Sequence, residues 1–170
     1  DQTQNILWRL ENSELDGVNP KVVVLLAGTP NAGNPAVRGD PDARAAGITR
    51  GLQAIVQLIH TKAPAATVIV MGLFPRNDRP GLMPVINRIN TNLAALASEG
   101  NFRYLDINAK LAAAGGQLLD GMMQADHLHP AVKAYQIWAD ALKPVFTELL
   151  GPPGAVDHAP PPTGDPGASR

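Results

Sequence analysis

Two short apolar runs indicate the fold class: KVVVLLA over residues 21–27 and TVIVMGLF over residues 67–74. After its first residue each run contains no polar side chain, Val and Ile are frequent, and Gly or Pro follows directly. Continuous β-branched runs of this length are typical of strands buried on both faces, which occur in parallel sheets. We therefore expect two neighbouring parallel strands.

Segments with helical periodicity alternate with these runs. Helices are predicted over residues 3–14, with Thr3 as N-cap, and over 42–60, 84–98 and 131–150; a third strand is predicted over 102–107, loops over 28–41 and 75–84, and a Gly-rich mixed segment over 111–125. This alternation predicts an α/β fold, a parallel sheet with helices on both faces. Because ligands of such sheets bind beyond the carboxyl ends of the strands, we expect the site on the loops after residues 27 and 74 and before residue 131.

Composition excludes several classes of function. The chain has 170 residues, the size of one domain, and a net charge of −1, which favours neither nucleic acid nor an anionic membrane surface. It has no cysteine, which rules out disulfides and thiolate catalysis. No apolar run is long enough to span a membrane. No metal-ligand spacing or phosphate loop is present, so no cofactor is predicted.

The two ends of the chain carry their own expectations. Residues 151–170 contain six Pro and four Gly, so we predict a flexible tail after a domain spanning residues 1–150. The chain begins with Asp1 rather than Met, which is expected of a processed product or a fragment. A targeting signal would then precede Asp1, as in a secreted or periplasmic protein, but the residues themselves leave the localisation open.

The sequence DHLHP, residues 126–130, holds the candidate chemistry. A His can accept a proton from a hydroxyl nucleophile, and a carboxylate on its other ring nitrogen fixes the tautomer. The Asp126-x-x-His129 spacing allows both side chains to come from one turn. The alternative is that Asp126 caps the following helix and His129 is a surface residue.

Two further loops contain candidate binding residues. The turn Gly28-Thr29-Pro30-Asn31 follows the first strand, where backbone N–H groups and an Asn amide could stabilise an oxyanion. The alternative is a turn selected for its backbone angles. Arg76 and Arg79 follow the second strand and are candidates for binding an anionic group, with a solvated loop as the alternative.

Five blocks of sequence occur in an order that resembles a known family: DQTQNILWRLEN at 1–12, GTPN at 28–31, GLFPR at 72–76, DHLHP at 126–130 and AYQIWA at 134–139. Together they resemble the SGNH (GDSL-type) hydrolases over residues 1–150, in the branch of the platelet-activating factor acetylhydrolase Ib catalytic subunits. The resemblance implies a flavodoxin-like three-layer α/β/α fold and a serine esterase that acts on short acyl esters without a cofactor. It implies that His129 is the general base and that Asp126 orients it.

The chain departs from the family pattern at the nucleophile and the oxyanion hole. The family's nucleophilic Ser, a glycine donor and its first strands correspond to positions before Asp1. Of the serines present, Ser13, Ser98 and Ser169, none occupies the nucleophile position, and Ser13 lacks a Gly-x-Ser elbow. The family reads Gly-Thr-Asn-Asn where this chain has Pro30, so Gly28 and Asn31 become the expected oxyanion residues.

These departures support a second hypothesis from another class. A chain without the nucleophile block could be a non-catalytic, esterase-derived module that acts by binding or assembly. A parallel sheet that lacks its first strands exposes an edge, and an exposed edge can pair with another chain. On either hypothesis the expected partners are a small ester substrate or a second copy of this chain.

Overall fold

The computed structural model describes residues 1–34 and 40–156. Helices and strands alternate along it, as the sequence predicts. In chain order they are α1 (Thr3–Glu11), β1 (Val22–Leu25), α2 (Thr29–Ala32), α3 (Pro41–Lys62), β2 (Thr67–Met71), a 3₁₀ turn (Pro80–Leu82), α4 (Met83–Ala97), β3 (Arg103–Leu105), α5 (Asn108–Leu111) and α6 (Val132–Leu150).

The three strands form one parallel sheet in the order β1-β2-β3. Val22 pairs with Thr67, and Ile69 pairs with Arg103. All three strands therefore end at the same edge of the sheet. The loops that follow β1 and β2 begin at this carboxyl edge, where the sequence places the candidate site.

Helices cover both faces of the sheet, which confirms the predicted three-layer α/β/α arrangement. Alternate strand side chains point to opposite faces. Val23 and Val68 belong to the core beneath α1, α3 and α4, whereas Val24 and Ile69 pack with α5 and α6. Each face is apolar, so the continuous apolar runs are explained by burial on two sides rather than one.

The start of α1 differs from the prediction. Gln2, not Thr3, is the N-cap, and its N–H donates to Asn5 Oδ1 at 3.2 Å. Thr3 is buried against α3 instead, and a Cβ on Gly51 would lie 2.8 Å from Thr3 Oγ1. The missing side chain at Gly51 allows the two helices to approach closely at this point, which the local sequence of α1 does not reveal.

The loop predicted over residues 28–41 also differs, because it contains the short helix α2. Gly28 has φ +104°, a left-handed conformation that turns the chain away from β1. Pro30 lies in the first turn of α2, where the missing N–H costs no helical hydrogen bond. Helix α3 then begins at Pro41, with the Asp40 carboxylate accepting the N–H of Ala43 at 3.3 Å.

The chain after α6 is described only as far as residue 156, and residues 151–156 form neither helix nor strand. The rest of the predicted tail, 157–170, lies outside the described residues. The flexible tail and the domain boundary at residue 150 stay predictions. None of the helices in the described ranges is both long and apolar enough to cross a membrane.

Candidate functional site

Three loops meet in a cleft of about 440 Å³ at the carboxyl edge of the sheet. They are the loop after β1, the loop after β2 and the loop before α6. Its walls combine apolar, polar and charged side chains, including Leu26, Thr29, Phe74, Arg76, Arg79 and His129. The predicted location of the site is therefore where the fold forms a concave surface.

Hydrogen bonds join the β2 loop to both of its neighbours. The N–H of Asn77 donates to the carbonyl of His127 at 3.1 Å. On the other side, Arg79 Nη1 donates to Gly33 O at 2.7 Å and Arg76 Nη1 to Thr29 O at 3.5 Å. The β2 loop is thus the central member of the three and fixes the positions of the other two.

The loop before α6 is held by its own backbone. The N–H of Gln124 donates to His129 O at 2.8 Å, and the N–H of Ala131 donates to Met122 O at 2.9 Å. His127 adopts φ +55°, a left-handed conformation uncommon for a non-glycine residue. This closed loop orients His129 just ahead of α6.

Asp126 and His129 form a hydrogen-bonded pair. His129 Nδ1 lies 2.5 Å from Asp126 Oδ2, while Asp126 Oδ1 accepts the backbone N–H groups of Leu128 at 3.0 Å and His129 at 2.9 Å. The His129 side chain, and then these two N–H groups, hold the pKa of Asp126 well below its usual range. A carboxylate only accepts hydrogen bonds, so this contact requires the proton on Nδ1, and in the neutral imidazole Nε2 then carries the lone pair that can take a proton.

The alternative role for Asp126 as a helix cap is wrong. Helix α6 has Ala131 as its N-cap, with no side-chain cap. The Asp126 carboxylate instead closes the turn that contains His129. Both side chains are accessible in the described residues, at 46% for Asp126 and 66% for His129, and His129 lines the cleft.

None of the described serines is close to His129. Ser13 follows the carboxyl end of α1, and Ser98 follows that of α4. Both helices are adjacent to the parallel strands in the chain and return across the sheet, so these ends lie away from the cleft. The opposite end of α1 is the one at the cleft, because Asp1 lines it. Ser169 lies outside the described residues. The geometry does not support recruitment of Ser13.

Arg76 is buried, so the solvated-loop interpretation is wrong for this residue. Its Nε donates to Asp78 Oδ1 at 2.6 Å, and its Nη2 donates to Asp78 Oδ2. This bidentate pair, with Arg76 as the largest cause, holds the pKa of Asp78 below its ordinary value. Arg79 is exposed at the cleft.

Gly28 and Asn31, the two expected oxyanion residues, are not among the residues that line the cleft, whereas Ala27, Thr29 and Pro30 line it. A Cβ on Gly28 would lie 3.0 Å from Ile48 Cγ2. Asn31 Oδ1 accepts the N–H of Thr3 at 2.9 Å, and its Nδ2 donates to Gln4 Oε1 at 3.0 Å. Asn31 thus joins α2 to α1, and its oxyanion role stays a prediction.

Sequence reasoning missed two asparagines that shape the site. Asn90 Oδ1 accepts the N–H of Leu73 at 2.7 Å, and its Nδ2 donates to Leu73 O at 2.9 Å. Asn108 Nδ2 also donates to Leu73 O, at 2.8 Å. These bonds satisfy the backbone where the chain leaves β2. A buried polar residue within the apolar stripe of α4 was the available signal.

Within residues 1–34 and 40–156, no group of three or more His, Asp or Glu side chains is arranged to hold a metal ion. Two of the ionisable side chains that line the cleft have a partner nearby, Arg76 in Asp78 and His129 in Asp126.

Comparisons with known proteins agree on one family. The model of the GDSL-like lipase/acylhydrolase family matches residues 1–137. Over 152 residues the chain is 36% identical to platelet-activating factor acetylhydrolase IB subunit alpha1 of Bos taurus, covering 88% of this chain and 61% of the relative. It is 37% identical to subunit alpha2 of Rattus norvegicus, covering 88% and 62%.

Solved structures share the fold. A member of the lipolytic G-D-S-L family from Veillonella parvula superposes with a TM-score of 0.70 at 24% identity, covering 88% of this chain and 76% of that structure. A similarity at 24% identity shows a shared fold. The chain spans 61% of the length of the bovine relative.

Proposed function

This chain belongs to the GDSL-like lipase/acylhydrolase family, and on that premise we propose that its protein hydrolyses carboxylic esters with short acyl groups. The observation that carries the proposal is the hydrogen-bonded Asp126–His129 pair in a cleft at the carboxyl edge of the sheet. Short acyl groups are proposed because the curated relatives are named acetylhydrolases.

In the proposed first step, His129 Nε2 removes the proton from a serine hydroxyl as that oxygen attacks the ester carbonyl. The Asp126 carboxylate keeps the Nδ1 proton in place and stabilises the imidazolium that forms. The tetrahedral intermediate collapses, the bond to the alcohol oxygen breaks, and the alcohol leaves with the proton from Nε2. An acyl-serine remains.

In the second step, His129 Nε2 takes a proton from water, and the water oxygen attacks the acyl-serine carbonyl. The bond to the serine oxygen breaks, the carboxylic acid leaves, and the serine recovers its proton from the imidazolium. Every proton passes through one ring nitrogen, so the reaction needs no group beyond serine, His129, Asp126 and an oxyanion hole.

We place the nucleophilic serine in a segment that precedes Asp1. Three observations support this: no described serine lies near His129, the relatives are longer than this chain, and Asp1 lines the cleft. A strand and loop entering beside Asp1 would bring a side chain to the accessible His129. For the oxyanion hole we keep Gly28 and Asn31 as candidates. Asn31 Nδ2 would leave Gln4 Oε1 and donate its hydrogen bond to the developing oxyanion instead.

Family membership favours this hydrolase over a non-catalytic binding or assembly module. Pairing of two copies through an exposed edge of the sheet stays a separate prediction that light scattering on the 170-residue chain would test. A monomer at all concentrations measured would contradict it.

The proposal is tested with p-nitrophenyl acetate and the complete protein that contains this chain. We expect turnover by the wild type and a loss of kcat on the order of 10³–10⁶-fold in His129→Ala, the range for loss of a triad member. The matched control is His60→Ala, because His60 binds the carbonyl of Asn101 (2.7 Å) at the far end of α3.

Three outcomes would be informative. Normal activity in His60→Ala with loss in His129→Ala supports the proposal. Equal activity in His129→Ala and the wild type contradicts the role of His129. No turnover of acetate, butyrate or hexanoate esters by the folded complete protein contradicts the function itself.

A further inference from the structure

We propose that Arg79 binds an anionic group of the substrate, so that the preferred esters carry a carboxylate or phosphate beside the scissile bond. This inference rests on the proposed function and specifies its substrate class. It starts from the cleft, where Arg79 and His129 are both lining residues.

The first argument is charge balance. The loop after β2 contributes three charged side chains to the cleft, Arg76, Asp78 and Arg79, and the Asp78 carboxylate forms its ion pair with Arg76. Arg79 has no carboxylate within ion-pair distance in the described ranges; its Nη1 donates to a neutral acceptor, Gly33 O. The β2 loop therefore presents two cations and one carboxylate to the cleft, an excess of one positive charge that a bound anion would neutralise.

The second argument is the position of the guanidinium group. A Cβ on Gly33 would lie 3.3 Å from Arg76 Nη1 and 3.6 Å from Arg79 Nη1. Both guanidinium groups thus lie beside Gly33, and the Asp78 carboxylate forms its ion pair with the buried Arg76. Convergence of two cations around one carboxylate creates a local excess of positive potential at the rim of the cleft.

The third argument is the hydrogen-bonding capacity of Arg79. A guanidinium group has five N–H donors in a planar fork, and Gly33 O occupies one. The remaining donors suit the paired oxygens of a carboxylate or phosphate, which bind arginine in a bidentate manner. The bond to Gly33 also restrains the side chain, which reduces the entropy lost on binding.

The apolar side chains that line the cleft define the rest of the substrate. Leu26, Phe74 and Leu128 present apolar surface, and Phe74 is fixed edge-to-face against Trp138 with ring centres 5.3 Å apart. An ester that fits this cleft has a short apolar portion against these side chains and an anionic end near Arg79. A simple neutral alkyl ester would leave the Arg79 charge unmatched.

The experiment compares matched ester pairs with the complete protein. One pair is p-nitrophenyl hydrogen glutarate and its methyl ester, which places the anion on the acyl side. The other is 3-acetoxypropyl phosphate and its dimethyl ester, which places it on the alcohol side. Variants are Arg79→Gln, Arg79→Lys and, as control, Arg88→Gln, because Arg88 is exposed on α4 and pairs with Asp42.

We expect the wild type to favour the anionic member of at least one pair in kcat/KM by on the order of 10-fold, the size of one charge-assisted hydrogen bond. Arg79→Gln should bring that ratio close to one, mainly by raising KM for the anionic ester. Arg79→Lys should retain part of the preference, and Arg88→Gln all of it. The pair that responds identifies a carboxylate or a phosphate.

A direct binding measurement separates this inference from the proposed function. Titration calorimetry would use N-(4-nitrophenyl)glutaramate, an uncharged amide link with a carboxylate end, and its methyl ester. Tighter binding of the anion by the wild type than by Arg79→Gln supports the inference even if no ester is hydrolysed. Equal binding of both compounds, or an equal effect of Arg79→Gln on neutral and anionic esters, overturns it while leaving the esterase proposal standing.

Discussion

The backbone N–H of Asn77 donates to the carbonyl of His127 at 3.1 Å, across 50 positions of sequence. This bond joins the loop that carries Arg76 and Arg79 to the loop that carries Asp126 and His129. His127, which provides this carbonyl, adopts a left-handed conformation with φ +55°. This hydrogen bond therefore fixes the loop of the proposed base relative to the loop of the proposed anion-binding arginine.

Asp126→Asn should reduce kcat for p-nitrophenyl acetate by on the order of 10³–10⁴-fold. The amide oxygen would keep the backbone N–H groups of Leu128 and His129, so the amide nitrogen would donate to Nδ1 and favour the tautomer with its proton on Nε2. The neutral amide would also not stabilise the imidazolium. The measurement is steady-state turnover by the complete protein. Asp42→Asn is the control, since Asp42 pairs with Arg88 on the surface. A loss smaller than tenfold would contradict the orienting role of Asp126.

Asp126 should also make stability depend on pH. Its pKa is lowered in the folded protein, first by the His129 side chain, so its contribution is present above the unfolded pKa of about 4 and is lost as the pH falls through the folded value. Urea unfolding between pH 6 and pH 2 should show a steeper fall for the wild type than for Asp126→Asn. Parallel pH dependences would contradict the folded-state interaction.

Gly28→Ala should destabilise the protein by about 1–3 kcal/mol, because Gly28 has φ +104° and a Cβ would press on Ile48. Two controls separate the causes. Gly17→Ala has positive φ but open space, so it reports the backbone cost alone, and Gly115→Ala has neither constraint. The free energy of unfolding should be highest for Gly115→Ala, lower for Gly17→Ala and lowest for Gly28→Ala. An equal effect in all three would disprove the proposed crowding.

Asn90→Ala should cost about 1–3 kcal/mol of unfolding free energy, because the buried N–H of Leu73 loses its acceptor. The carbonyl of Leu73 keeps Asn108 as a donor, so the loss is limited to one backbone group and one cavity. The double variant with Asn108→Ala should lose more than the two single variants added together. Asn87→Ala, on the exposed face of α4, is the control for helix propensity.

Much of the fold was predictable because the information is local. The runs at residues 21–27 and 67–74 contain β1 and β2, and the apolar stripe of 42–60 lies within α3. Burial on both faces requires continuous apolar residues in a strand, and burial on one face requires a stripe in a helix. Both requirements concern residues that are close together in the sequence, so the strands and helices can be predicted without knowledge of the tertiary structure.

The Asp126–His129 contact was predictable for the same reason. The two residues are three positions apart, and one turn brings the carboxylate to Nδ1 and to two backbone N–H groups. Their catalytic role stays a prediction, because the contact itself does not require a nucleophile.

Long-range contacts could not be predicted in this way. Thr3 resembles a helix cap in the sequence but is buried against Gly51. Asn31 resembles a free amide but binds Thr3 and Gln4. The hydrogen-bond partners of Leu73 come from α4 and α5. Each depends on which elements become neighbours across the sheet.

Local pattern alone thus specifies the layers of this protein, the edge of the sheet that carries the site, and the turn that pairs Asp126 with His129. Packing buries Arg76 in an ion pair with Asp78, whereas Arg79 lies at the cleft and donates to the carbonyl of Gly33. The physical reason is that secondary structure follows from nearest neighbours and side-chain periodicity. The balance of charge in a cleft depends on distances between loops that are far apart in the chain.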